Sequence, residues 1–188
     1  MDQGRVTPIR ACTIEKTLRT PVNFIVHSLH EVNDGLAHGR LFFMEIKKDG
    51  IALHEADDTD LHTPRPKTPE QALEAAREYF EDHYPGAIVW LNTSRDLAKQ
   101  KRHKEAAFLL HQATERLYAG LLPTLTYYTP YNHSIAFLRT LAERLDRRLY
   151  GIWPEPSRRE RAKLQKLKEA HTMARYSKHY RIGEEELA

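Results

Sequence analysis

Near the end of the chain, the stretch "MARYSKHYRIG" places Arg175 and His179 four residues apart, with His171 four residues before Arg175. An imidazole takes or gives a proton near neutral pH, and a guanidinium holds a phosphate by its planar fork. Together they suit RNA cleavage without a metal. His179 would act as general base or acid on the 2′-hydroxyl, and Arg175 would stabilise the charge growing on the phosphate. If the last helix runs through residue 179, the three side chains lie on one face and border the apolar stripe Leu164, Leu167 and Ala174. Residues that snorkel at the edge of a core have the same look, so the pair stands as a candidate site beside a second reading in which it only binds.

Further cations could hold an anion. They fall in "RDLAKQKRHK", with Lys101, Arg102 and Lys104, and in "SRRERAKLQKLK", with Arg158, Arg159 and Arg161. In the second segment only Glu160 offsets six Lys and Arg residues, so the repulsion would be relieved by phosphate or by water. The wider balance agrees: residues 1–84 carry 10 Lys/Arg against 15 Asp/Glu, whereas residues 85–188 carry 19 against 11. A basic second half points to nucleotide or RNA, and a solvated helical face is the alternative. Tyr127, Tyr128 and Tyr131 in "TYYTPY" have rings on which bases could stack, and packing within the loop would use them equally.

Other chemistries are poorly supplied. "HEADDTDLH" puts four carboxylates between His54 and His62, but it lacks the glycine and terminal glutamate of a calcium loop and leads into a proline-rich segment. His27 and His30 have ligand-like spacing without companion cysteines. We assign no metal and no cofactor. There is no nucleophile elbow, P-loop or dinucleotide-binding glycine pattern. Cys12 is the single cysteine, which removes an intramolecular disulfide framework and suggests a reducing compartment. No apolar run has the length of a membrane span, and the expectation is a cytoplasmic protein.

These side chains need elements to position them. At 188 residues, 40% hydrophobic and 29% charged, the chain can bury one sizeable core or two small ones. Val22–Val26 reads as a short strand, and Ser28 caps a helix that Gly35 or Gly39 ends. Residues 41–46 fit a second short helix, Asp49-Gly50 a turn, and Ile51–Leu53 a second strand. The segment "TPRPKTPE" then forms a linker over residues 63–68, and Thr68-Pro69 starts a helix. Pro85-Gly86 should kink or restart that helix. The wide apolar stripe of "KEAAFLLHQATERLYAGLL" marks a central helix that Pro123 stops. Two further amphipathic segments, "HSIAFLRTLAERLDRRL" and "PSRRERAKLQKLKEAHTMARY", complete a mainly α bundle of four or five helices.

The central helix, the His-Ser-headed helix after it and the basic final helix together resemble a HEPN domain, over residues 69–188. The stretches "VNFIVHSLHEV" and "FFMEIKKDGIALHE" are similar to the closing strand, helix and strand of a minimal nucleotidyltransferase standing ahead of such a domain, which would make residues 1–62 a truncated α/β remnant. The resemblance implies a helical bundle that dimerises, binds nucleotide or RNA, and works in a toxin–antitoxin or defence setting with a nucleotidyltransferase-type antitoxin partner. It implies no nucleotide transfer here, because the Gly-Ser loop and the Asp-x-Asp pair that hold two magnesium ions are missing. Asn23 stands where a third carboxylate is expected. Ribonucleases of the family carry an arginine and a histidine with four to six residues between them near the last helix. Here only Tyr176, Ser177 and Lys178 intervene. The expectation is therefore a nucleotide- or RNA-binding protein, with a metal-independent endoribonuclease and a protein-interaction module as the alternatives.

Overall fold

A computed structural model of the chain describes residues 25–55, 60–153 and 157–187. It consists of helices α1 (Leu29–Ala37), α2 (Leu41–Asp49), α3 (Pro69–Lys99), α4 (His103–Thr126), α5 (Ile135–Leu145), α6 (Arg158–Tyr176) and the short α7 (Glu184–Leu187). A single 3-10 turn, Arg147–Leu149, follows α5. Helix α4 is the axis: α3, α5, α6 and α7 all pack against it.

Local sequence sets the helix starts. Ser28, Thr68 and Ser157 each accept the N3 backbone N–H, and the N3 side chains Glu31, Gln71 and Glu160 reach back to the cap backbone N–H. Each box satisfies two donors that a helix end leaves unpaired. Chain reversal after α1 depends on Gly39, whose φ of 62° is a conformation that only glycine adopts freely. A Cβ there would also lie 2.5 Å from the carbonyl oxygen of Arg65. The linker therefore doubles back on α1, and the Arg65 N–H donates to the Leu36 carbonyl at 3.0 Å.

Three apolar clusters hold the bundle. Tyr118 and Leu122 of α4 meet Ile135, Leu138 and Ala142 of α5. Leu36 of α1 and Phe43 of α2 close on Tyr128, just after α4. Ala107 and Ala170 let α4 and α6 approach closely, and Tyr180 from the returning tail seals them.

The structure corrects four expectations. Among the described residues there is no strand, so the α/β remnant gives way to a helical hairpin. Ile51 and Leu53 are 85% and 94% exposed, and Ile25 and Val26 are also exposed; strand propensity yields no strand without a neighbouring strand to pair with. Val22 and Asn23 lie outside the described residues. Second, α3 does not restart at Pro85 but is one helix from Pro69 to Lys99. The Arg116 guanidinium donates to the carbonyls of Asp82 and His83 at 2.8 and 3.2 Å, serving the turn that the proline weakens. Third, α4 continues beyond Pro123 to Thr126 and ends where Tyr127 turns left-handed, at φ 56°. The Thr124 and Thr126 hydroxyls donate to the Gly120 and Leu122 carbonyls along this last turn. Fourth, α6 stops at Tyr176, so His179 does not share its face. Burial of Tyr180 against Ala107 and Ala170 draws the chain back before the helix can extend.

Candidate nucleic-acid interface

Arg175 sits in the last turn of α6, exposed and tightly positioned. Its Nε donates to the His171 carbonyl at 2.8 Å, and its Nη2 donates to His171 Nε2 at 3.3 Å. Because a guanidinium only donates, His171 Nε2 must be the accepting nitrogen. The guanidinium carbon lies 5.3 Å from the Phe108 ring centre and 4.9 Å from that of Tyr176. Two rings and a carbonyl thus hold the fork in place while the residue as a whole stays exposed. His179 lies in the turn after the helix, also exposed, with its N–H donating to Ser177 Oγ at 3.2 Å.

Beneath this end runs a polar seam. His111 of α4 is buried, and its Nδ1–H donates to the Leu167 carbonyl at 2.9 Å. Its ring stacks on His171 with centroids 5.3 Å apart. His111 Nε2 faces Glu115 Oε2 at 3.5 Å, while His133 Nδ1 donates to Glu115 Oε1 at 2.8 Å. Burial alone would raise the Glu115 carboxyl, but the hydrogen bonds from His111 and His133, together with their charge, outweigh it and hold the group below its usual 4.5. His111 and Glu115 did not stand out in the sequence. The available signal was a histidine inside an apolar stripe with a glutamate one turn later.

A stability consequence follows. A carboxylate whose folded pKa lies below the unfolded one stabilises the fold fully above the unfolded value, and that contribution is lost as pH falls through the folded value. Glu115→Gln is therefore expected to cost stability at pH 7 and to narrow its distance from the parent as pH falls below the usual carboxylate value of 4.5. Urea unfolding at a series of pH values measures this; parallel curves would contradict it.

The basic candidates separate into two groups. Lys104 donates to the Ser177 carbonyl at 3.2 Å, which brings the α3–α4 corner, with exposed Lys101 and Arg102, to the Arg175 end. Arg102 is paired with Glu105 at 2.9 Å. Arg158, Arg159 and Arg161 stand at the far end of α6, about 25 Å away along the helix axis. There the chain supplies its own anions: Arg159 bonds Glu185 at 2.6 Å, and Lys166 bonds Glu186 and the Arg181 carbonyl. The sequence marked the cations of α6 as candidates for holding an anion; in the structure carboxylates of the tail pair with Arg159 and Lys166. Of the expected site, His171 and Arg175 touch, and Lys104 reaches the turn after α6 that also carries His179.

Among the described residues, no group of three or more His, Cys, Asp or Glu side chains could hold a metal ion. No described helix is long and apolar enough to cross a membrane. Compared with models of known families, the chain matches the HEPN domain over residues 80–188, from within α3 to the C-terminus. Among curated proteins, no match is found.

Proposed function

From the premise that this chain belongs to the HEPN domain family, we propose that it binds single-stranded RNA at the Arg175 end of α6, with Lys104, His171 and His179 beside the guanidinium. The observation that carries the reading is the exposed Arg175 fork, fixed between Phe108 and Tyr176 by the His171 carbonyl. A pre-set fork loses little side-chain freedom when it takes a phosphate, which favours arginine over lysine at such a place. Arg175 stays exposed, and Lys104, held at the Ser177 carbonyl, adds charge nearby. A homodimer in which two such ends face one another, and a nucleotidyltransferase-type antitoxin partner, belong to the same proposal and rest on the family.

One feature favours the further reading of metal-independent cleavage. Two exposed imidazoles flank Arg175 in the chain, and cleavage through the 2′-hydroxyl uses one group to accept its proton and another to protonate the leaving 5′-oxygen. His179 supplies one and His171 the other, with Arg175 stabilising the charged phosphorane-like state between them.

Fluorescence anisotropy with a labelled RNA 20-mer, titrated over a range of salt, tests the binding. Arg175→Ala is expected to weaken it roughly three- to tenfold and to lower the slope of log affinity against log salt by about 0.7, the release expected for one phosphate contact on a single strand. An unchanged affinity and slope would rule the site out. The same RNA incubated with the parent, Arg175→Ala and His179→Ala in the presence of a chelator tests cleavage. Cutting by the parent that both variants lose supports the catalytic reading, and intact RNA with the parent leaves binding alone.

A further inference from the structure

A second pocket, unused by the RNA reading, lies at the α1 side of the molecule, between α1, α3 and the loop that follows α4. It has a volume of about 440 Å³ and an acceptor-rich, aromatic lining that includes His27, Glu31, Asp34, Tyr79 and Tyr131. That size is within the range of about 300–1,000 Å³ usual for small-ligand sites.

Glu31 is its fixed anion. One carboxylate oxygen accepts the Ser28 N–H at 2.8 Å and the Ser28 hydroxyl at 2.9 Å, and the other accepts the Tyr131 hydroxyl at 3.2 Å. These bonds hold the carboxyl below its usual value, so it is charged at neutral pH. Behind it, the His27 side chain is 8% exposed. Its Nε2 meets the Tyr128 hydroxyl at 2.9 Å, while its buried Nδ1 has no hydrogen-bond partner among the described residues and faces Glu31 Oε2 at 3.9 Å. A buried polar atom left unpaired beside a charged acceptor marks an incomplete polar site.

The rings complete the picture. Tyr131 is 77% exposed, with its ring 5.8 Å from that of His27, and only its hydroxyl tethers it to Glu31. The neighbouring Tyr127 ring already carries a cation, with Lys67 Nζ 5.6 Å from its centre. Charge decides the sign of the ligand. Arg40 in the wall is offset by Asp34 at 3.4 Å, and Lys67 is not part of the lining, which leaves Glu31 as the net charge of the carboxylate and guanidinium groups that line it. The positive end of α1 amounts to about half a charge and is smaller than the full charge of the carboxylate it adjoins. An anion would be repelled here. We propose that the pocket binds an organic cation, a guanidinium or ammonium head seated on Glu31 and covered by the Tyr131 ring.

Isothermal calorimetry of the full chain with agmatine and with the blocked peptide Ac-Gly-Arg-Gly-NH2 tests this. The neutral isostere, the same peptide with citrulline in place of arginine, is the control. Saturable binding of a cation, absence of binding by the citrulline peptide, and at least about tenfold weakening in both Glu31→Gln and Tyr131→Ala are expected. Glutamine preserves the capping box, so the first variant keeps its helix start. Binding of agmatine alone identifies a free small cation, and binding of the peptide as well identifies a partner's side chain. No saturable binding by either cation, equal binding of the citrulline peptide, or parent-like affinity in Glu31→Gln would overturn the proposal.

Discussion

Gly120→Val is expected to remove about 3 kcal/mol of stability. Helix α4 crosses α3 so closely that a Cβ on Gly120 would sit 2.4 Å from the Cβ of His83 and 3.0 Å from its Cγ. The nearest atom is the first of the His83 side chain, which no rotamer can move. The helices must therefore separate along the largest interface of the bundle. Replacing glycine in a helix interior gains up to about 1 kcal/mol from backbone propensity, more for alanine than for valine. The overpacking term exceeds it, so Gly120→Ala should also destabilise, by a smaller amount. For a chain of this size the valine variant corresponds to a fall of roughly 6–12 °C in the melting midpoint, readable by circular dichroism. His83→Ala cannot relieve the contact because it keeps the offending atom, whereas His83→Gly can. A Gly120→Ala variant within experimental error of the parent would show that the helices do not meet this closely.

The second large effect is expected at His111. Replacement by leucine fills a similar volume but removes a buried donor from the Leu167 carbonyl and a partner from Glu115. Leaving Glu115 half-buried with one fewer partner should cost about 2–3 kcal/mol, because the desolvation of the carboxylate is no longer met. Replacing both members is milder than replacing one, so His111→Leu with Glu115→Met should recover part of the loss. Denaturant unfolding of both variants and of Glu115→Met alone measures the difference, and a loss in the double variant equal to the sum of the two single losses would mean that the seam carries no coupling. His111 also stacks on His171, which holds Arg175. The single variant should therefore loosen the proposed RNA site without touching RNA itself.

The helix starts were legible because their determinants are local. Ser28 and Thr68 lie three residues from the side chains that answer them, and each was read correctly as a helix start. The apolar stripe of α4 was equally plain, since an axis surrounded on several sides must be apolar over a wide arc. The prolines misled because their effect depends on distant residues. Pro85 remains inside α3 where Arg116, thirty-one residues later, serves the weakened turn. The last amphipathic segment was read to Tyr176, where α6 ends, but whether the helix ran on to His179 stayed open, because nothing in "RYSKHY" announces that Tyr180 will be buried against α4. The β-branched and aromatic runs near Val26 and Ile51 had the composition of strands but lacked a described neighbour to pair with. Of the candidate site, Arg175 and His171 were visible as residue types at helical spacing. The buried seam below them was hidden, because a histidine in an apolar stripe has the same sequence pattern whether it packs or polarises a neighbour.

The returning tail also bears on what a salt titration would count. Arg159 and Lys166 arrive with Glu185 and Glu186 already bound to them, and α7 holds those carboxylates in place. A nucleic acid reaching that end of α6 would evict an anion belonging to the chain. The freed glutamates would then gather sodium or potassium ions as the phosphates shed theirs, and the two fluxes would largely cancel. Contacts made there would add affinity but almost no ionic-strength dependence. The measured slope is thus a local gauge, reporting the phosphates held around Arg175 and Lys104 and passing over those held by a helix that brings its own counterions.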